Sequence, residues 1–117
     1  MRIAAKAKAN RAVVGNEAEQ TLCYQALSDG IVEFEQNYLF HPPRKFQIDF
    51  AIPAARVGIE IEGGIWSRGA HGRGPGIARD MLKHNLLLMS GWRVLRYTPD
   101  QVRQGEAIEG LKRLLGA

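Results

Sequence analysis

Between Phe46 and Ile61, apolar and polar residues alternate with a period of two: Phe46, Ile48, Phe50 and Ile52, then Val57, Ile59 and Ile61. This period predicts two strands, each with one face on a core. Pro53-Ala54-Ala55-Arg56 separates them as a turn. Antiparallel pairing then sets Ile52 opposite Val57, Phe50 opposite Ile59 and Ile48 opposite Ile61. Elsewhere the period is helical. Leu22, Cys23, Ala26 and Leu27 form one stripe, with Asn16 as N-cap, Glu19 completing a capping box and Gly30 as the stop. Residues 31–40 predict a first strand, and His41-Pro42-Pro43-Arg44 a turn, since two prolines remove ladder donors. A helix from about Ile77 to Ser90 is expected to turn Met81, Leu82, Leu86 and Met89 inward and to end at Gly91. Arg93 to Tyr97 is a further strand. Thr98 caps a short helical turn with Pro99 at N1, and an amphipathic helix from Glu106 to Leu115 closes the chain. A strand, a helix and another strand imply that the last strand runs parallel to Val57–Glu62. The order α-β-β-β-α-β-α predicts an α/β fold, a four-stranded mixed sheet flanked by helices. Residues 1–14 read as a basic flexible arm and 15–117 as a single domain.

The polar positions of the alternation change the picture. Asp49 falls opposite Glu60, with Glu62 two places along, so three carboxylates would share one patch of the sheet's other face. Opposed residues lie about 4.5–5.5 Å apart at Cα, and like charges at that distance are unfavourable. A positive group between them would relieve this, and a divalent metal ion fits. An ordinary solvated sheet face bearing acids is the competing explanation.

The charge distribution points the same way. The net charge is +4, but residues 1–14 carry Arg2, Lys6, Lys8 and Arg11 and no acid. Residues 63–98 carry six basic residues against Asp80 alone, with His71 and His84 in addition. The stretch from Ile65 to Gly76 is rich in glycine and basic groups and reads as a mobile loop beside the acidic patch. Basic segments flanking an acidic cluster suit a polyanion held over a metal site. Arg68, Arg73 and Arg79 are the candidates for phosphate contacts, with His71 beside them. Trp66 and Trp92 read first as packing residues. No apolar run approaches the ~20 residues of a membrane span, and the first ten residues lack the apolar segment of a signal peptide. The single cysteine, Cys23, suits a reducing, cytoplasmic setting.

Taken in order, these residues resemble the PD-(D/E)XK nuclease superfamily, and within it the small Vsr-like endonucleases of bacteria and their phages. The resemblance is carried by Arg44 ahead of Ile48-Asp49-Phe50, then Ile59-Glu60-Ile61-Glu62-Gly63-Gly64, then the Gly/His/Arg loop. It continues through Asp80 and Lys83-His84-Asn85 to Gly91-Trp92-Arg93-Val94-Leu95-Arg96-Tyr97-Thr98. It implies a restriction-endonuclease-like αβββαβ core and metal-dependent hydrolysis of DNA phosphodiester bonds. It also implies a bacterial or phage-infected cytoplasm. Asp49 would bind and bridge the metal, and Glu60 would be a second ligand. Glu62 stands where many members have lysine; it could accept a proton or hold a second ion. Lys83, on the neighbouring helix, could restore the missing positive charge, or pair with Asp80 at i, i+3. Glu19 falls where some members place a metal-binding acid, and also suits its cap. Mg²⁺ takes oxygen ligands from one or two carboxylates, and Mn²⁺ is expected to substitute. DNA is the expected partner, and a homodimer is the simplest means of cutting both strands. The competing functions are a catalytically silent or partner-dependent DNA-binding module of the same fold, and a carboxylate glycosidase, which the basic loop disfavours.

Overall fold

The structure is a computed structural model that describes residues 12–63 and 74–116. Most of the basic arm lies outside the described residues, as do Trp66, Arg68, His71 and Arg73. The elements are α1 (Glu17–Ser28), β1 (Glu35–Leu39), β2 (Gln47–Ile52), β3 (Val57–Ile61), α2 (Gly74–Met89), β4 (Arg93–Tyr97), α3 (Pro99–Arg103) and α4 (Glu106–Leu114). They form an α/β fold whose sheet has the order β1-β2-β3-β4. β1, β2 and β3 are antiparallel, and β4 joins β3 in parallel. Among the described residues no helix is long and apolar enough to cross a membrane.

Local chemistry sets the element ends. Asn16 Oδ1 accepts the Glu19 N–H at 2.9 Å and Glu19 Oε1 accepts the Asn16 N–H at 2.8 Å. Thr98 and Gln101 repeat this reciprocal box ahead of α3, and each such cap is worth about 1 kcal/mol. The first strand is shorter than the apolar run 31–40 suggests. The Ile31 N–H turns back to the Ala26 carbonyl at 2.8 Å to close α1, and Phe34 is buried, stacked on Phe50 with ring centroids 4.6 Å apart.

The sheet separates two cores. One face packs Phe50, Ile52, Val57 and Ile59 against Leu22, Cys23 and Ala26 of α1, Val102 of α3, and Ala107, Ile108 and Leu111 of α4. The other packs Ile48 and Ala51 against Leu87 of α2 and Trp92. Ile48 and Phe50 therefore lie on opposite faces, although two residues apart in one strand. The alternation slips by one at Asp49. Gln36↔Phe50 and Tyr38↔Ile48 are register partners, but Asn37 and Asp49 between them are not. Asn37 has φ 51°, a left-handed conformation that asparagine tolerates better than most residues. Gly58, opposite Ala51, confirms where Ile48 went: a Cβ there would lie 2.8 Å from Ile48 Cγ2 and 2.8 Å from the Phe50 carbonyl oxygen. Ile48 thus fills space that a side chain at position 58 would need.

α2 is rotated from its expected setting. Leu87 is its buried apolar residue, whereas Met81, Leu82 and Met89 are 61%, 37% and 74% exposed. The helix ends in a Schellman arrangement, with the Gly91 N–H bonded to the Leu88 carbonyl and the Trp92 N–H to the Leu87 carbonyl. Gly91 supplies the positive φ of 80°, and Trp92 packs with Leu87 in the second core, the apolar contact that accompanies this ending. With Leu87 fixed inward, Lys83, one turn earlier, is directed toward the sheet.

Candidate functional site

The β2–β3 ladder runs through Ile52↔Val57, Ala51↔Gly58 and Phe50↔Ile59 and stops there. Beyond that point β2 stays with β1 through Ile48 and Gln47, while β3 stays with β4 through Glu60 and Ile61. In the cleft between them the two acids take over the ladder's hydrogen bonds. The Ile61 N–H donates to Asp49 Oδ2 at 2.8 Å, and the Asp49 N–H makes a long 3.4 Å contact to Glu60 Oε2. Both side chains are half-buried. The backbone bonds that bring them together do so at the expense of their hydration.

Burial accordingly pushes the Asp49 carboxyl above its ordinary range, against the opposing effect of the Ile61 hydrogen bond, and the nearby Glu19, then Glu62, carboxylates add to the rise. Burial raises the Glu60 carboxyl too, partly offset by Lys83. Lys83 Nζ lies 2.7 Å from Glu60 Oε1, with side chains only 20% and 14% exposed. Lys83 therefore reaches across to Glu60 of the sheet rather than back to Asp80 on its own helix. Glu62 turns outward instead, its Oε2 3.2 Å from Nε of the exposed Arg96. The structure thus brings Asp49, Glu60 and Lys83 into one cluster with Glu19 at its edge. A cavity of about 190 Å³ adjoins it, lined by Glu60, Glu62, Asp80, Lys83, His84 and Arg96 over an apolar floor of Leu87 and Val94. Asp49 does not line this cavity; it faces the cleft from the other side of Glu60. Arg79, on α2, lies with its guanidinium 4.8 Å from the centre of the Phe46 ring.

Arg96 is a site residue that the alternation did not single out. Its signal was the parallel pairing of β3 and β4, which makes Glu60 and Arg96 register partners and so puts a cation on the carboxylate face.

The donors suit a hard cation in kind: they are carboxylate oxygens, without a thiolate or imidazole cage. As they stand, no group of three or more His, Cys, Asp or Glu among the described residues is arranged to hold an ion. Lys83 occupies Glu60 Oε1, and Arg96 occupies Glu62. The Lys83 contact takes Oε1 of Glu60 alone, so the second carboxylate oxygen remains on the Asp49 side for an ion. Comparison with family models, with curated proteins and with solved structures finds no match.

Proposed function

We propose that this chain is a metal-dependent DNA endonuclease with a restriction-endonuclease-like core, hydrolysing phosphodiester bonds at the Asp49–Glu60–Lys83 cluster. One observation carries this reading. Two half-buried carboxylates are held together at the open end of a hairpin, where burial makes their charge costly, with a lysine poised on one of them. Strands paired only for stability have no reason to pay that cost.

Asp49 and Glu60 would hold Mg²⁺, with Mn²⁺ as substitute, and Glu19 and Glu62 are the nearest further carboxylates. The ion supplies charge neutralisation at the phosphate and acidifies water. The chain's own part is positional. The Ile61 hydrogen bond fixes the Asp49 carboxylate, and Lys83, beside Glu60, keeps a positive charge at the cleft for a phosphate oxygen or the attacking water. Attack by water at phosphorus breaks one bridging P–O bond and leaves a phosphomonoester and a hydroxyl. Glu62, paired with Arg96, is screened from this chemistry until Arg96 turns to a phosphate. Arg68, His71, Arg73 and Arg79 are the proposed DNA contacts.

A plasmid-relaxation assay with Mg²⁺ or Mn²⁺ tests this. Cleavage that EDTA abolishes, and that Asp49→Ala and Glu60→Ala each reduce by more than ~10³-fold, is the expected result. Cleavage unchanged in both variants removes the site assignment. A second reading rests on the pairing of both motif acids, Glu60 with Lys83 and Glu62 with Arg96. Those two acids are then paired without an ion, as a DNA-binding module that does not cut allows. DNA binding in EDTA with no cleavage in either metal selects that reading.

A further inference from the structure

The outward face of α2 is unusually apolar. Met81 and Leu88 are each 61% exposed, Met89 is 74%, Leu82 is 37%, and Ile77 continues the face at 42%. Isolated exposed apolar residues are ordinary, but a contiguous face of this kind marks a contact surface. Its arrangement also says which contact. Around exposed Asn85 the outward positions read the same in both directions: Leu82 and Leu88 lie three residues away, Met81 and Met89 four. Positions three and four apart share one face of a helix.

We propose that this face is the isologous contact of a homodimer, in which two α2 helices pack antiparallel about a two-fold axis through Asn85. Such an axis sets Met81 against Met89 of the partner subunit and Leu82 against Leu88 of the partner subunit, so like-sized apolar groups meet in every pair. Asn85 meets its own copy, and an amide can donate to and accept from another amide. A central asparagine in an apolar helix seam fixes register at some cost in affinity. The exposed apolar area is roughly 500 Å² per copy, so the pair reaches the ~1,000 Å² total of a specific interface. Lys83 and Leu87 occupy the opposite side of the helix, so the contact and the carboxylate cluster stand back to back. On the nuclease reading, the two-fold axis presents two sites with the opposite polarity that the two strands of a duplex require. The dimer itself does not depend on that reading.

Analytical ultracentrifugation of the full chain at ~100 μM, and in dilution from it, reads the dimer whether or not the protein cleaves DNA. The expected result is a concentration-dependent dimer that Leu88→Glu and Met89→Glu each weaken by more than ~100-fold, since each buries an unpaired charge. Tyr24→Glu, at a 56% exposed position on α1, should leave it unchanged. Asn85→Cys should give a covalent dimer with oxidised glutathione, the chain's own Cys23 being buried. A monomer at that concentration overturns the proposal and assigns the face to another occupant, such as residues 1–11 or a different protein. A dimer that survives both glutamate substitutions places the contact elsewhere and equally overturns it.

Discussion

At the turn end of the β2–β3 hairpin, Ile52 faces Val57 and Phe50 faces Ile59, all buried and paired in one ladder. At the open end, Asp49 and Glu60 stand where the next pair would be, and their carboxylates replace the ladder: Asp49 accepts the Ile61 N–H, and Glu60 faces the Asp49 N–H. The same two strands thus do opposite things over a few residues. The closed end lowers the free energy of folding by removing apolar surface from water. The open end raises it, by holding two acids in a part-desolvated cleft. A protein keeps such an end only when something other than stability depends on it.

The largest effect should come from breaking the closed end. Phe50→Ala removes a buried ring that stacks on Phe34 and joins three helices in the first core. It should cost about 3–5 kcal/mol, read as a lower urea midpoint with little change in slope. A loss below about 1 kcal/mol would mean that the first core does not centre on this residue.

A smaller effect, of mixed sign, is expected at the junction of the two ends. Lys83→Met keeps the stem packed but leaves Glu60 without its 2.7 Å partner, beside Asp49. Stability at neutral pH should fall by about 1–2 kcal/mol, less than for a fully buried pair because both side chains retain some exposure. Mg²⁺ binding, followed by the metal-dependent rise in melting temperature, should be as strong as before or stronger, because a competing cation is gone. Cleavage should fall sharply. Full cleavage in this variant would remove lysine from the proposed chemistry while leaving the metal site standing.

The sequence made the closed end legible because Phe50, Ile52, Val57 and Ile59 obey one period, and Pro53 to Arg56 supply the turn. The slip at the open end was hidden for the same reason. Ile48 extends the alternation without a fault, and the left-handed Asn37 that accompanies the slip sits on the neighbouring strand. The carboxylates themselves were readable as acids crowded onto the polar positions of the alternation, and the capping role of Glu19 as a spacing from Asn16. The orientation of α2 was not readable. Met81, Leu82, Leu86, Leu87, Leu88 and Met89 surround the helix, so more than one inward stripe satisfies the pattern. The choice falls to the Trp92 contact that pins Leu87, a tertiary fact outside the helix.

The smallest effect is the most direct measure of the difference between the two ends. Burial raises both the Asp49 and Glu60 carboxyl values above their ordinary range, so the folded protein holds these protons more tightly than the unfolded chain does. Their contribution to stability is therefore full below the ordinary carboxylate range, about pH 4, and is lost as pH rises through the raised folded values. Neutralising Asp49 should recover part of it. Asp49→Asn keeps an oxygen for the Ile61 N–H and removes the charge, so the melting temperature near pH 7.5 should rise by at most a few °C, the cleft being partly open to solvent. The gain should shrink as pH falls through the raised folded value and the native carboxyl takes up its own proton. Glu60→Gln offers the contrast: it removes a carboxyl that burial also raises but strands Lys83, and its net effect should stay within about 0.5 kcal/mol. Differential scanning calorimetry of both variants from about pH 4 to 8 separates these outcomes. A melting temperature lowered by Asp49→Asn at neutral pH would mean that the hydrogen bond from Ile61 stabilises the ionised carboxylate more than burial strains it. The open end would then be as much a structural joint as the closed one.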